Sequence, residues 1–460
     1  MLTYQDFLQT EDKIGFVRKA IDEYKGSAAY LTAKIADDYD RSENTTIMSY
    51  QKMITTVTGS LVPDKYTAVH RSASNFFNIF TTQLNQYLLG NGVLWKDGSG
   101  EKLGADFDTR LQQAGKAALC AGVSFGFFNF DHVEVFKALE FVPLFDEENG
   151  ALSAGIRFWQ IAPEKPLRAT LYEMDGYTNL LWQEKGAPAD EWEPLGNNVY
   201  QKPKRAYKLK TRTTAADGTE IYAGENYPTF PIVPLYANPH KQSELVGLRE
   251  KIDAYDFILN GWEDDLDNAQ LYWIISGAGG MDDIDLTQFL DRLRTVKAAA
   301  PADGQSVTPV TVQIPVDARE RLLERLEKQL YKDAMIMNPE DLASSAATAT
   351  QIRAAYERQN VKADQYEYCV NDFLRGLMEV AGIQDEPTFT RSTIVNTQEE
   401  VQTVVMAASY LGSEYVTRKI LSLMGDGDQA DEVLRAVDAE AAERLGGFGN
   451  PNEPEEEEEQ

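Results

Sequence analysis

Leu245, Leu248, Ile252, Tyr255, Leu259, Trp262 and Leu266 follow one another at intervals of 3, 4, 3, 4, 3 and 4 residues. That alternation repeats every seven residues and draws one narrow apolar stripe along a helix. Glu, Asp, Lys and Arg fill most positions between, so the remaining faces are polar. So narrow a stripe suits another helix laid along it better than a broad core. Residues 243–270 are therefore read as one long helix in need of a helical partner. A candidate partner lies downstream: 317–333 has Leu322, Leu323, Leu326 and Leu330 on one side.

The remaining segments place this pair within an α+β, mainly helical chain. Residues 1–95 read as helices, with Ile14, Val17, Ile21, Tyr24 and Ala28 in one helical series and Phe76, Phe77, Phe80, Leu84, Tyr87 and Leu88 in another. Gly90-Asn91-Gly92 stops the second series, and a further helix over 105–120 ends near Gly122. From 123 to 236 short aromatic and β-branched runs such as FGFFNF and GIRFWQI are cut by Glu148-Asn149-Gly150, Asp175-Gly176 and Asp217-Gly218, a strand region. Pro228, Pro231 and Pro234 close it. Residues 271–315 are mixed: an apolar run Leu271 to Ser276, a short helix Asp285 to Lys297, then the β-branched run Val307 to Val316. A long helix is expected from Ala346 to Gly382, and two more over 398–424 and 428–445. The last fifteen residues, 446–460, read as a disordered acidic tail. No internal repeat is evident.

Charge narrows the function classes. Acids outnumber bases 73 to 44, a net charge of −29. Six of the acids, Glu453 and Glu455 to Glu459, lie in the tail with no base beside them, which leaves −23 on the rest. A general grip on nucleic acid is disfavoured, because tight DNA binding neutralises phosphates with Lys and Arg. Two readings stay open on charge alone: an ordinary acidic soluble protein, or a surface that meets DNA without holding it. The N-terminal stretch MLTYQDFLQTEDKIGF has acids and no apolar core, so no signal peptide is expected. No run of about 18 apolar residues occurs, so no membrane span is expected. Cys120 and Cys369 are far apart in sequence and read as buried apolar residues of a reducing compartment.

Catalytic and metal-binding patterns are missing. His70, His132 and His240 are the three histidines, and none stands in an HxxxH or HExxH spacing. There is no GxxxxGK[ST] phosphate loop, and Gly277-Ala278-Gly279-Gly280, with no lysine after it, reads as a turn. No GxSxG elbow is present. Glu263-Asp264-Asp265-Leu266-Asp267 falls within the striped helix, where its carboxylates are expected to spread rather than converge. Asp282-Asp283-Ile284-Asp285 precedes a helix, where Asp caps the first turn; it lacks the glycine and terminal Glu of a calcium loop. No catalytic residue, metal or cofactor is assigned.

The ordered set of segments resembles a known family. NFFNIFTTQLNQYLLGNGVLW, GVSFGFFNFDHVEVF, EFVPLFDEENGALSAGIRFWQI and FPIVPLYANPHKQSELVGLREKIDAYDFILNGWEDDLDN follow in the order seen in portal proteins of tailed bacteriophages, the group typical of long-tailed phages and prophages of Gram-positive bacteria. IDEYKGSAAYLTAKIADDYDRSENTTI is similar to that family's opening, and SSAATATQIRAAYERQNVKADQYEYCVNDFLRGLMEVAGI resembles its long wing helix. The likeness runs over residues 10–445.

The resemblance implies a homo-oligomeric ring, usually a dodecamer, at one capsid vertex, with a wing, a two-helix stem, a clip and a helical crown in each subunit. Carried onto this chain, the wing is 1–240 with 346–395, the stem 241–268 and 316–334, the clip 269–315, the tunnel loop 335–346 and the crown 396–445. The seven stripe residues would pack the stem. Asn338, Pro339, Glu340, Asp341, Ser344 and Ser345 would belong to the tunnel loop, and Asp291 and Arg294 would be clip contacts. The implied partners are the terminase large subunit, a head-completion adaptor, the major capsid and scaffolding proteins, and DNA sliding through without sequence-specific binding. Implied too are a place in the virion, assembly in the host cytoplasm, and no enzymatic activity. Two alternatives are another phage head–tail ring protein, such as a connector, and an acidic cytosolic hydrolase using paired carboxylates.

Overall fold

The computed structural model describes residues 2–55, 59–64, 67, 69–184, 192–196, 198–214, 220–268, 273–276, 306–309, 315–339, 349–392, 397–424, 430 and 433–436. The chain divides into two compact units, Met1–Ile336 with Gln359–Ser392, and Met337–Arg358 with Thr393–Gln460.

The first unit opens with helices α1 (Tyr4–Gln9), α2 (Lys13–Lys25), α3 (Ala28–Asp40) and α4 (Thr45–Met48). Thr3, Asp12 and Ser27 start the first three by accepting the backbone N–H of Asp6, Gly15 and Tyr30, which satisfies donors that a helix start leaves free. A two-stranded antiparallel hairpin follows, β1 (Met53–Thr55) with β2 (Leu61–Pro63), then α5 (Phe76–Leu89) and β3 (Val93–Trp95). An all-helical reading of 1–95 is therefore corrected. Between Met53 and Pro63 the sequence is β-branched and reverses at Gly59, whose φ of 82° suits glycine.

Helix α6 (Phe107–Ala121) stops at Gly122 in the left-handed region, φ 92°. The strand region then delivers β4 (Val123–Asn129), β5 (His132–Lys137), β6 (Phe141–Phe145), β7 (Leu152–Trp159), β8 (Leu167–Glu173), β9 (Gly176–Trp182), β10 (Glu193–Gly196), β11 (Val199–Gln201), β12 (Lys208–Thr214), β13 (Glu220–Glu225) and β14 (Ile232–Tyr236). Six of them form one antiparallel sheet in the order β10-β11-β9-β8-β7-β6, and β14-β4-β5 form a second. Pro234 sits in β14, an edge strand, where the missing N–H is tolerated.

Helices α1 and α2 cover the large sheet. Phe7, Phe16, Val17, Ala20, Ile21 and Tyr24 bury against Val142, Leu144, Ile156, Phe158, Leu171 and Leu180. The two sheets meet through aromatic rings: Phe125 lies 4.5 Å from Phe141, and Phe136 lies 5.8 Å from both Phe141 and Tyr172.

Five more helices and three strands follow: α7 (Arg249–Asn268), β15 (Trp273–Ser276), β16 (Ser306–Pro309), α8 (Val316–Ala334), α9 (Ala349–Ala381), β17 (Pro387–Phe389), α10 (Thr397–Ala407) and α11 (Ser413–Met424). Strand β15 pairs antiparallel with β16, and β17 with β3. In the second unit α10 packs on α11. The single helix expected over 398–424 is thus two, parted at 408–412, because Gly412 is a poor helix former and Ser413-Glu414 is a helix-start pair. Of the helix expected over 428–445, Ala430 and residues 433–436 are helical; the rest lies outside the described residues, as do the helix expected over 285–297 and the acidic tail.

Helix α9 is seated in the first unit by close approach. The Tyr366 hydroxyl donates to Asn85 Oδ1 at 3.1 Å, and Asn85 Nδ2 donates to the Gln112 carbonyl at 2.9 Å. Gly115 makes room for this: a Cβ there would stand 2.2 Å from the Tyr366 oxygen and 2.4 Å from Asn85 Oδ1. Gly115→Ala should therefore cost about 1–3 kcal/mol by overpacking. A lowered urea midpoint with unchanged slope would be the expected result; an unchanged midpoint would mean that α9 gives way freely.

Candidate functional site

The stripe residues do not share one environment. Leu245 and Leu248 are buried, but they precede α7 in turns around Gly247, whose φ is 87°. The helix expected from 243 starts instead at Arg249, because Gly247 holds a left-handed conformation that no helix residue adopts. Ile252 is fully buried; Tyr255, Leu259 and Trp262 are half-buried; Leu266 is 50% exposed. Apolar burial fades towards the C-terminal end of α7.

Polar burial takes its place. Asp256, Asn260 and Asp264, four residues apart on one face of α7, are all buried. Each receives a backbone N–H from the segment before α5. Ser74 N–H reaches Asp256 Oδ1 at 3.0 Å, Ser72 N–H reaches Asn260 Oδ1 at 2.6 Å, and His70 N–H reaches Asp264 Oδ1 at 2.8 Å. Asn260 Nδ2 returns a bond to the Ser72 carbonyl at 2.8 Å. Four helical residues rise about 6 Å, and two extended residues span about 6.6 Å. The segment therefore runs nearly straight along α7, antiparallel to it, with every second N–H on a rung. On the other flank Asn44 Nδ2 donates to Asp256 Oδ2 at 2.6 Å, and Thr46 and Tyr39 donate to Asp253.

Helix α8 lies antiparallel against α7. Lys251, early in α7, pairs with Asp333 late in α8, and Arg319, early in α8, pairs with Asp265 late in α7. Leu323 and Leu330 are buried, whereas Leu322 is 44% exposed. Tyr331 packs edge-on against Phe80, and Tyr255 against Phe76, so both helices rest on α5. At one end Lys362 of α9 ties the pair together. Its ammonium contacts Glu244 at 2.6 Å, both side chains being about five-sixths buried, and donates to the Ala334 carbonyl at 2.8 Å.

Helix α8 ends on Met335, φ 56°, in the left-handed region. Ile336, Met337 and Asn338 are buried and Pro339 is exposed. Asn338, expected in a polar loop, is buried. Glu340, Asp341, Ser344 and Ser345 lie outside the described residues, as do Asp291, Arg294, the Asp282–Asp285 cluster and Gly277–Gly280.

Among the described residues no group of His, Cys, Asp and Glu is arranged to hold a metal ion. Asp264 and Asp267 do converge, against the expectation that the acids of 263–267 spread, but on His70: Nδ1 lies 2.8 Å from Asp264 and Nε2 3.3 Å from Asp267. A cleft of about 500 Å³ between α3, α5 and α6 holds Asp40 and Lys116, which are paired with each other at 2.7 Å. Cys120 and Cys369 are buried and unbonded. No helix among the described residues is long and apolar enough to cross a membrane.

Two groups on the α7 face are shifted. Burial raises Asp256 above the ordinary carboxylate value, against hydrogen bonds from Asn44 and Ser74 that lower it. The hydrogen bond to Asp264, with the charge of Asp267 behind it, raises His70 above 6.5. A raised histidine stabilises the fold fully below its ordinary value, and the contribution is lost as pH rises through the raised one. Because the chain has only three histidines, the His70 ring is assignable by magnetic resonance. Its midpoint should lie above 6.5 and fall in Asp264→Asn; a midpoint at or below that value in the intact chain would contradict the contact.

The chain is similar to known proteins. The portal protein of Clostridium phage phiCD119 is 22% identical over 209 residues, 43% of this chain and 46% of that protein, so the chain spans less than half the length of this relative. The portal protein of Bacillus phage SPP1 is 23% identical over 384 residues, 76% of this chain and 72% of that protein. Among solved structures, a chain in the neck of an empty GTA particle is similar at 11% identity with a TM-score of 0.43, covering 76% of this chain and 90% of that one. One in the neck of a native GTA particle has a TM-score of 0.40 at 11% identity, covering 74% and 87%. The family described as "Phage portal protein, SPP1 Gp6-like" matches residues 17–445, nearly the whole chain, and the chain belongs to it.

Proposed function

We propose that copies of this chain assemble into the portal ring, usually dodecameric, at one vertex of a phage capsid. DNA enters and leaves through it, and it acts without catalytic chemistry of its own. The observation that carries this reading is the family match from 17 to 445, nearly the whole chain. The terminase large subunit docks on the ring during packaging and a head-completion adaptor afterwards; capsid and scaffolding proteins surround it. The ring forms in the host cytoplasm and ends in the virion.

On this reading α7 and α8 are the stem, and 269–315, which holds the β15–β16 pair, is the clip with Asp291 and Arg294 at its contacts. Residues 335–346 are the tunnel loop, 1–240 and 346–395 the wing, and 396–445 the crown. The exposed end of the stripe, Leu266, and the exposed Leu322 of α8 are left for a neighbouring stem. Acidity supports a passive conduit: with −29 on each chain, phosphates are repelled rather than held.

Negative-stain microscopy of the purified chain tests the ring, and monomers only would reject it. The tunnel has a sharper test. Glu340 and Asp341 from every subunit would form rings of negative charge facing DNA, acting within a screening length of about 8 Å at physiological salt. Glu340→Lys with Asp341→Lys should slow packaging several-fold at low salt and leave rings intact. Equal packaging velocity in single-particle measurements would remove these carboxylates from the channel wall.

A further inference from the structure

Two anchors to α7 flank the β1–β2 hairpin in the chain. Before it Asn44 and Thr46 bond to Asp256 and Asp253, and Tyr50 packs edge-on against Phe257 of α7, ring centroids 5.2 Å apart. After it comes the ladder from His70 to Ser74. The hairpin is a sheet of two strands, and no third strand joins it among the described residues. Met53, Leu61 and Val62 on it are 46%, 67% and 36% exposed. A lone two-stranded hairpin is marginal in water, and its open edges are templates for pairing. The chain thus anchors the residues on both sides of the hairpin while leaving Met53, Leu61 and Val62 uncovered.

Charge indicates what covers them. Residues 51–71 carry Lys52, Lys65 and Arg71 against the single acid Asp64, a net of +2 in a chain of −29, so the remainder carries −31. A basic, apolar arm on an acidic body is complementary to another body of the same kind. We propose that the β1–β2 arm lies across a second copy of this chain and clasps it, with Leu61 and Val62 against that copy and the exposed Arg71 facing its acids. The proposal rests on the ring reading above.

The test uses the full chain with Leu61→Cys, labelled with a benzophenone maleimide; Cys120 and Cys369 are buried, which directs the label to position 61. Irradiation of assembled protein should yield covalent chain–chain adducts whose peptides map the label onto another copy. Their yield should fall as salt is raised from about 0.1 to about 1 M, since screening shortens from roughly 10 to 3 Å. Leu61→Asp with Val62→Asp should shift ring dissociation to about tenfold higher protein concentration, a change of about 1.4 kcal/mol. The melting of the isolated chain should hold, because both residues are exposed. Adducts confined to the labelled chain, or formed only with added duplex DNA, in protein that sediments as rings would overturn the clasp and leave the ring standing. An unshifted dissociation in the double variant would overturn it equally. Protein that sediments only as monomer and gives no adducts would overturn both.

Discussion

The row of backbone N–H groups from His70, Ser72 and Ser74 held by Asp264, Asn260 and Asp256 is the constraint on which the rest of the first unit depends. Helix α7 has too little apolar surface to be fixed by packing alone, for only Ile252 of its stripe is fully buried. A neutral hydrogen bond contributes about 1 kcal/mol net, and one to a charged group about 1.5–3. Leaving a buried carboxylate unpaired is far more costly. The ladder therefore fixes register more than it adds stability: its donors sit two residues apart and its acceptors four, and only one alignment satisfies all of them. Because α5 begins at Phe76, directly after the ladder, the same bonds place the surface on which Tyr255 and Tyr331 rest.

Part of this was legible in the sequence, and the part that was not has a definite cause. The apolar stripe from Leu245 to Leu266 announced a helix, and the aromatic runs of 123–236 with their Asp-Gly and Asn-Gly turns announced the sheets. Gly122 marked the end of α6 because a left-handed cap is what glycine supplies. The ladder was missed because Asp253, Asp256, Asn260 and Asp264 stand at helical spacing on the face that hydrophobic periodicity assigns to solvent. A buried acid looks like a wet one until its donors are known, and here they come from backbone about 190 residues upstream. The spacing of these four polar residues was itself the available signal.

The same blindness explains the smaller corrections. Gly247 interrupted a heptad pattern that counts only apolar positions, so α7 was begun six residues early. Asn338, polar and in a segment read as a break between helices, is buried. His70 belonged to no motif, and its two carboxylate neighbours lie in another element altogether. Of the candidate loop and clip residues, only Asn338 and Pro339 lie among those described.

Lys362 has a consequence for how the chain finds this arrangement. A buried ion pair such as Lys362–Glu244 gains little over a well-packed apolar pair, because desolvating two charges offsets their attraction. Its effect is on the alternatives. If α9 docked one turn out of place, an ammonium and a carboxylate would be stranded in the interior, and the Ala334 carbonyl would lose its donor. Mis-threaded forms of the helix pair are thereby raised in energy while the native one is scarcely lowered. The lysine works as a proofreading element: it widens the gap between the native packing and its near neighbours, which is the property a landscape needs if many identical chains are each to reach one shape.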